Sequence, residues 1–164
     1  MVFPTRKERR SKAVEYRRTG FGLGQWSGED IILAGGTRCP GFYGEGLARL
    51  RFDAYGVPEL AASGNDHRKA RVAVVELVCD VTGDEPRVVS LISIEVPREL
   101  RRRGYGRRVV EAVAGLAPDG LRITDIRRAA DGFWLRMGVE MPPRVPGRRR
   151  DGVLPAPPVH AMAP

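Results

Sequence analysis

The sequence predicts one α/β (α+β) domain built on a mixed central sheet, and three observations carry that prediction. Residues 71–80 (RVAVVELVCD) and 88–96 (VVSLISIEV) are nearly continuous runs of β-branched residues and leucine. Such runs are too apolar for a strand with one wet face, so both read as central strands buried on two sides. Residues 82–86 (TGDEP) between them form a short polar connection, which makes the pair an antiparallel hairpin. After Pro97 the chain runs through Arg101, Arg102, Arg103, Gly104, Tyr105 and Gly106 into apolar positions at Val109, Val113 and Leu116, with Val110 and Ala114 beside them. That spacing is helical.

The remaining elements follow in chain order. Residues 1–20 are a basic arm or a short helix: Thr5 and Glu8 have the spacing of a capping box, but Ala13, Val14 and Tyr16 make only a thin apolar stripe. The folded domain is expected over 21–140. Its first part, 19–58, is rich in glycine with interspersed aromatics (Phe21, Trp26, Phe42, Tyr43, Tyr55) and has strands predicted at 30–34 and 46–54. The aromatics are read as core rather than as a substrate wall. Residues 61–70 are a polar loop. Seven of the thirteen prolines fall between Pro142 and Pro164, so 141–164 is expected to be a Pro/Arg-rich disordered tail.

Composition narrows the function classes. A chain of 164 residues is long enough to bury a true core as one domain. Cys39 and Cys79 are too few for a disulfide framework and lack metal-ligand spacing with His67 or His160, so no metal is expected. No apolar run reaches the roughly 18 residues of a membrane span, and the start lacks a signal-peptide stretch; a cytoplasmic protein with reduced thiols and no membrane partner is the expectation. The net charge of +8 is local. Residues 1–20, 98–108 and 144–150 carry net charges of +5, +5 and +4, and the remainder is acidic.

A strand leading through a basic, glycine-containing turn into a helix is a site for an anion. The first N–H groups of the helix lack internal partners and the helix dipole adds positive potential there. Glycine permits close approach of a phosphate or pyrophosphate. Neither a P-loop nor a GxGxxG motif is present.

Arg101-x-x-Gly104-x-Gly106 resembles the [Gln/Arg]-x-x-Gly-x-[Gly/Ala] signature of the GNAT N-acetyltransferase superfamily, which holds the pyrophosphate of acetyl-CoA. The order strand, turn, helix, strand, Gly-ended helix over 88–140 is similar as well, with Val139 in place of a phenylalanine. By that resemblance 120–126 is a short strand and 130–138 a helix ending at Gly138. The resemblance implies a GNAT-like mixed sheet with a V-shaped splay between its fourth and fifth strands, and acetyl-CoA as co-substrate. It implies direct acetyl transfer to an amine acceptor, either a small molecule or a protein. The main chain at Ile94, Glu95 and Val96 is expected along the pantetheine, with Arg101, Arg102, Arg103, Gly104, Tyr105, Gly106 and Arg107 around the pyrophosphate. A backbone N–H at the splay polarises the thioester carbonyl in this family. The family's C-terminal hairpin is expected to be shortened or lost here.

Two departures concern proton transfer. The tyrosine that serves many members as acid falls at Trp134, and the glutamate of histone-acetylating relatives falls at Ser90. Glu95 and Glu76 are the remaining candidates for a catalytic base. Three alternatives stay open: an active N-acetyltransferase, a catalytically weak or inactive CoA-binding relative, and a basic nucleic-acid-binding module using the three arginine-rich runs. The last would lose roughly 10³ in affinity between 50 and 200 mM salt. The N-terminal half has room for a homodimer interface as well as for an acceptor pocket.

Overall fold

A computed structural model describes residues 26–64, 66–84 and 86–156. The basic arm at 1–20 and the last eight residues lie outside the described residues. Seven strands, β1 (Trp26–Ser27), β2 (Ile31–Arg38), β3 (Leu47–Gly56), β4 (Arg71–Asp80), β5 (Arg87–Glu95), β6 (Leu121–Ile123) and β7 (Gly152–Leu154), form one sheet in chain order. Neighbours are antiparallel except β5 and β6, which are parallel. The helices are α1 (Val57–Ala62), α2 (His67–Ala70), α3 (Tyr105–Gly115) and α4 (Asp131–Arg136), with single 3-10 turns at Arg98–Leu100 and Arg128–Ala130.

The two apolar runs are the centre of this sheet, and strand periodicity decides what each face does. The register aligns Phe52, Val75 and Ile94 across β3, β4 and β5, and Leu50, Leu77 and Leu91 in a neighbouring row. Phe52, Val75 and Leu77 are fully buried. α3 packs on the sheet through Val109, Val110 and Val113, all fully buried, each contributing about 2 kcal/mol of apolar burial. Residues one step along the strands point the other way. There Arg51, Glu76 and Ser93 share a row, followed by Asp53, Val74 and Glu95. That face is polar. Of the aromatics read as core, Trp26 is buried with its ring 5.1 Å from that of Phe52, Tyr43 and Tyr55 are half-buried, and Phe42 is 87% exposed.

Several expectations are corrected. The loop expected at 61–70 holds the end of α1 and all of α2. Their order comes from ends rather than periodicity: Pro58 sits in the first turn of α1, and the Asp66 side chain accepts from the Arg68 N–H at the start of α2. β2 runs on to Arg38 across an irregularity between Ala34 and Thr37, where two glycines interrupt the pattern. The strand expected at 120–126 stops at Ile123, and the helix expected over 130–138 is the Arg128–Ala130 turn followed by α4.

The largest correction is at the C-terminus. Residues 141–156 are not a loose tail. β7 pairs antiparallel with β6, and its Val153 exchanges hydrogen bonds with Glu140 at 2.8 and 2.9 Å. The expected hairpin is therefore shortened rather than lost, with one bridge residue as its outer arm. None of the prolines falls inside β7, so its ladder is intact. Gly152 lets it lie close, because a Cβ there would collide with Val139, Ile126 and Met141.

Candidate functional site

The parallel pair β5/β6 parts early. Pairing covers only Ser90 with Arg122 and Leu91 with Ile123, and ends where the Thr124 N–H donates to the Leu91 carbonyl at 3.0 Å. β5 continues for four more residues, Ile92 to Glu95, with no β6 partner. On the other side the chain leaves β6 through Asp125, whose φ of 53° is left-handed. Aspartate tolerates that region better than most residues. It is held there by the Asp151 carboxylate, which accepts from the Asp125 N–H at 2.9 Å and from Arg122 at 2.9 Å. The Asp125 N–H is also the main cause that keeps the Asp151 carboxyl below its ordinary value of 3.8.

The basic turn runs from the end of β5 to the start of α3. The Arg101 side chain folds back and donates from Nε to the Val96 carbonyl at 3.0 Å, tying the turn to the end of β5. Arg102 and Arg103 are exposed and make no ion pair among the described residues. Gly104 caps α3 with φ 82° and no side-chain capping bond, and its carbonyl accepts the helix's first hydrogen bond, from Arg108. The N–H groups ahead of that bond, at Tyr105, Gly106 and Arg107, have no acceptor within the helix. A Cβ on Gly104 would meet nothing within 4 Å, so the turn opens outward there. At Gly106 a Cβ would touch the Phe133 ring of α4 at 3.4 Å and Val96 at 3.9 Å, so α4 closes the opposite side.

The remaining arginines of this run have structural partners. Arg107 pairs with Glu111 one turn on. Arg108 lies over the Tyr105 ring, and its guanidinium grips both Asp30, at 2.8 Å, and Glu59, at 2.5 Å. These bonds from Arg108 hold both carboxyls below their ordinary values of 3.8 and 4.5. The result is a clamp joining the start of α3 to β2 and α1. Sequence reasoning did not single it out, since its three members are up to 78 positions apart.

The two candidate bases share the polar face but not the same circumstances. Glu76, 14% exposed at its side chain, is bound by Arg49 through Nε at 2.8 Å and through a second, shorter contact, with Arg51 at 3.9 Å. Arg49 also donates to the Tyr43 hydroxyl. Both hydrogen bonds fall on Oε2, and Arg51 stands beside Oε1, so Glu76 is held in an arginine pair. Glu95 is exposed at the free end of β5, opposite Val74, and makes no ion pair among the described residues. Ser90 is buried. Trp134, expected where an acid would stand, lies in the core at 6% exposure with its ring against Phe133; the aromatic facing the turn is Phe133, which carries no proton to give. Burial pushes the Cys79 thiol up to about 12, which excludes it as a nucleophile at neutral pH.

Among the described residues no group of three or more His, Cys, Asp or Glu could hold a metal ion, and no helix is long and apolar enough to cross a membrane. No protein-family model matches the chain, and no curated protein matches it. One solved structure, the AtaT mutant toxin bound to the C-terminus of the antitoxin AtaR and acetyl-CoA, is similar to this chain at 14% identity. The match spans 65% of this chain and 68% of that one, with a TM-score of 0.45.

Proposed function

We propose that this protein binds acetyl-CoA in the cleft between β5 and β6 and transfers its acetyl group directly to an amine. The observation that carries the reading is the coincidence of two features: a parallel pair that parts after two residues, and an α3 start with unengaged N–H groups and two unpaired arginines at its mouth. The pyrophosphate would sit on the Tyr105, Gly106 and Arg107 N–H groups, with Arg102 and Arg103 neutralising its charge. Pantetheine would run along Ile94, Glu95 and Val96. Val96 offers less than its neighbours, since its carbonyl already accepts from Arg101.

The chemistry asked of the side chains is modest. A backbone N–H of the unpaired end of β5, aimed at the thioester oxygen, stabilises the tetrahedral intermediate by about 3 kcal/mol. The thiolate, with a conjugate-acid pKa of about 8.5, can leave without an acid, which fits an α4 that presents Phe133 rather than a tyrosine. Of the candidate bases Glu95 is preferred, because it is open to solvent at the cleft while Glu76 is committed to Arg49. An amine with a pKa of about 8 needs little help, whereas a lysine-like amine at about 10.4 is neutral in only about one molecule per 10³ at pH 7.

Calorimetric titration with acetyl-CoA and with CoA tests the reading, using Gly104→Asp and Gly104→Asn as a matched pair. Both side chains meet open space and are among the residues that best tolerate positive φ, so both variants should fold with the same small strain. Asparagine should retain most of the affinity. Aspartate, with a negative charge facing the pyrophosphate, should weaken it at least about tenfold. Unchanged affinity in the aspartate variant would sink the assignment.

A further inference from the structure

We infer that the C-terminal segment 142–151 is a positioning strut that sets the far wall of the cleft; the inference rests on the acetyl-CoA reading above. Its contacts converge on one short stretch, the link from β6 to α4 at 125–131. Asp151 accepts from the Asp125 N–H and bonds Arg122 of β6. The Arg150 carbonyl accepts from the Ile126 N–H at 2.7 Å. Arg144 donates to the Ile126 carbonyl at 3.1 Å and to Asp131 at 2.6 Å, and Arg150 reaches Asp131 at 3.0 Å. Nothing in the link's own sequence would hold Asp125 in a left-handed conformation against extension of β6. Were β6 to continue straight past Thr124, it would pair with Ile92 to Glu95 and close the gap.

The strut therefore acts on the half of the cleft that lies along β5, not on the turn at the start of α3. Arg101, Gly104 and the clamp around Arg108 make no contact with 142–151 among the described interactions. This separation predicts a split between two parts of one ligand. Pantetheine needs the parted strands; the nucleotide half, 3′-phospho-ADP, needs only the turn.

The test uses the full chain, titrated calorimetrically with acetyl-CoA and separately with 3′-phospho-ADP, alongside thermal melts. Asp151→Ala removes the hold on Asp125 and should weaken acetyl-CoA about tenfold while changing 3′-phospho-ADP less than about twofold. Asp151→Asn keeps an oxygen for the Asp125 N–H and should restore most of the loss. Equal losses for both ligands, or none for either, would overturn the strut. If Asp151→Ala does not fold, Arg144→Gln, which releases Ile126 and Asp131 but leaves Asp151 in place, must show the same selective loss, and equal losses there overturn it too. Failure of the unaltered protein to bind either ligand would instead overturn the cofactor reading on which the inference stands.

Discussion

At the scale of single residues, Trp134 illustrates how a position can be right in order and different in role. Counting back from Gly138 puts it where an acid is often found, but its indole is packed into the core and the neighbouring Phe133 faces the turn. Trp134→Tyr should therefore not raise turnover. It replaces a larger buried ring by a smaller one and brings a hydroxyl into apolar surroundings, so a loss of about 1–3 kcal/mol is expected in denaturant unfolding. Faster acetyl transfer with unchanged stability would contradict the placement. Glu95→Gln tests the base in the same way. With a lysine-like acceptor its rate at pH 7 should fall by about 10² or more while acetyl-CoA affinity holds; an equal rate would rule Glu95 out as the base.

At the scale of elements, the start of α3 is fixed by charge rather than by a capping side chain. Arg108 joins it to Asp30 and Glu59, both held below their ordinary values by its hydrogen bonds. Because the folded values lie below the unfolded ones, the clamp's contribution is complete above about pH 4.5. It is lost as pH falls through the folded values. Arg108→Met leaves two carboxylates without their cation and should melt at a lower temperature than the unaltered protein at pH 7. Thermal melts taken from pH 7 to pH 3 should show that gap narrowing below pH 4.5; a constant gap would mean that the arginine stabilises by packing alone.

The same scale shows why some elements were legible in the sequence and others were not. β4 and β5 were readable as strands because each is a local run of β-branched residues and leucine, but the two-sided burial expected from those runs does not hold for β5, where Val89, Ser93 and Glu95 are exposed. α3 was readable because Val109, Val110 and Val113 repeat with the helix. β7 and α2 carry no such signature. Three residues of β7 are ordered by Gly152 lying against Val139 and by arginine and aspartate partners distant in sequence, while α2 rests on the Asp66 cap. Proline count misled at 141–156 because the prolines there flank β7 without entering it. Within the candidate site, the turn from Arg101 to Gly106 was visible as a motif; the engagement of Glu76 by Arg49 and the clamp on Arg108 depend on register and could not be.

At the scale of the whole molecule, the basic excess is less available than the formal charge suggests. Arg107 and Arg108 in the central run pair with carboxylates, as do Arg144 and Arg150 in the C-terminal run. Among the described residues these pairs engage part of each run, while Arg102 and Arg103 beside the α3 start, like Arg98, Arg148 and Arg149, make no ion pair. On the proposed reading an amine would approach over the polar face of the sheet, at the end of β5 where Glu95 is exposed.

The most direct test of the cleft is amide hydrogen exchange followed by mass spectrometry, with and without saturating acetyl-CoA. Protection should concentrate at Ile92 to Val96 and at Gly104 to Arg107, with little change in β2 and β3. Saturable binding that leaves both stretches unprotected, or protects only the polar face of β3 and β4, would place the ligand elsewhere and contradict the cleft as the acetyl-CoA site.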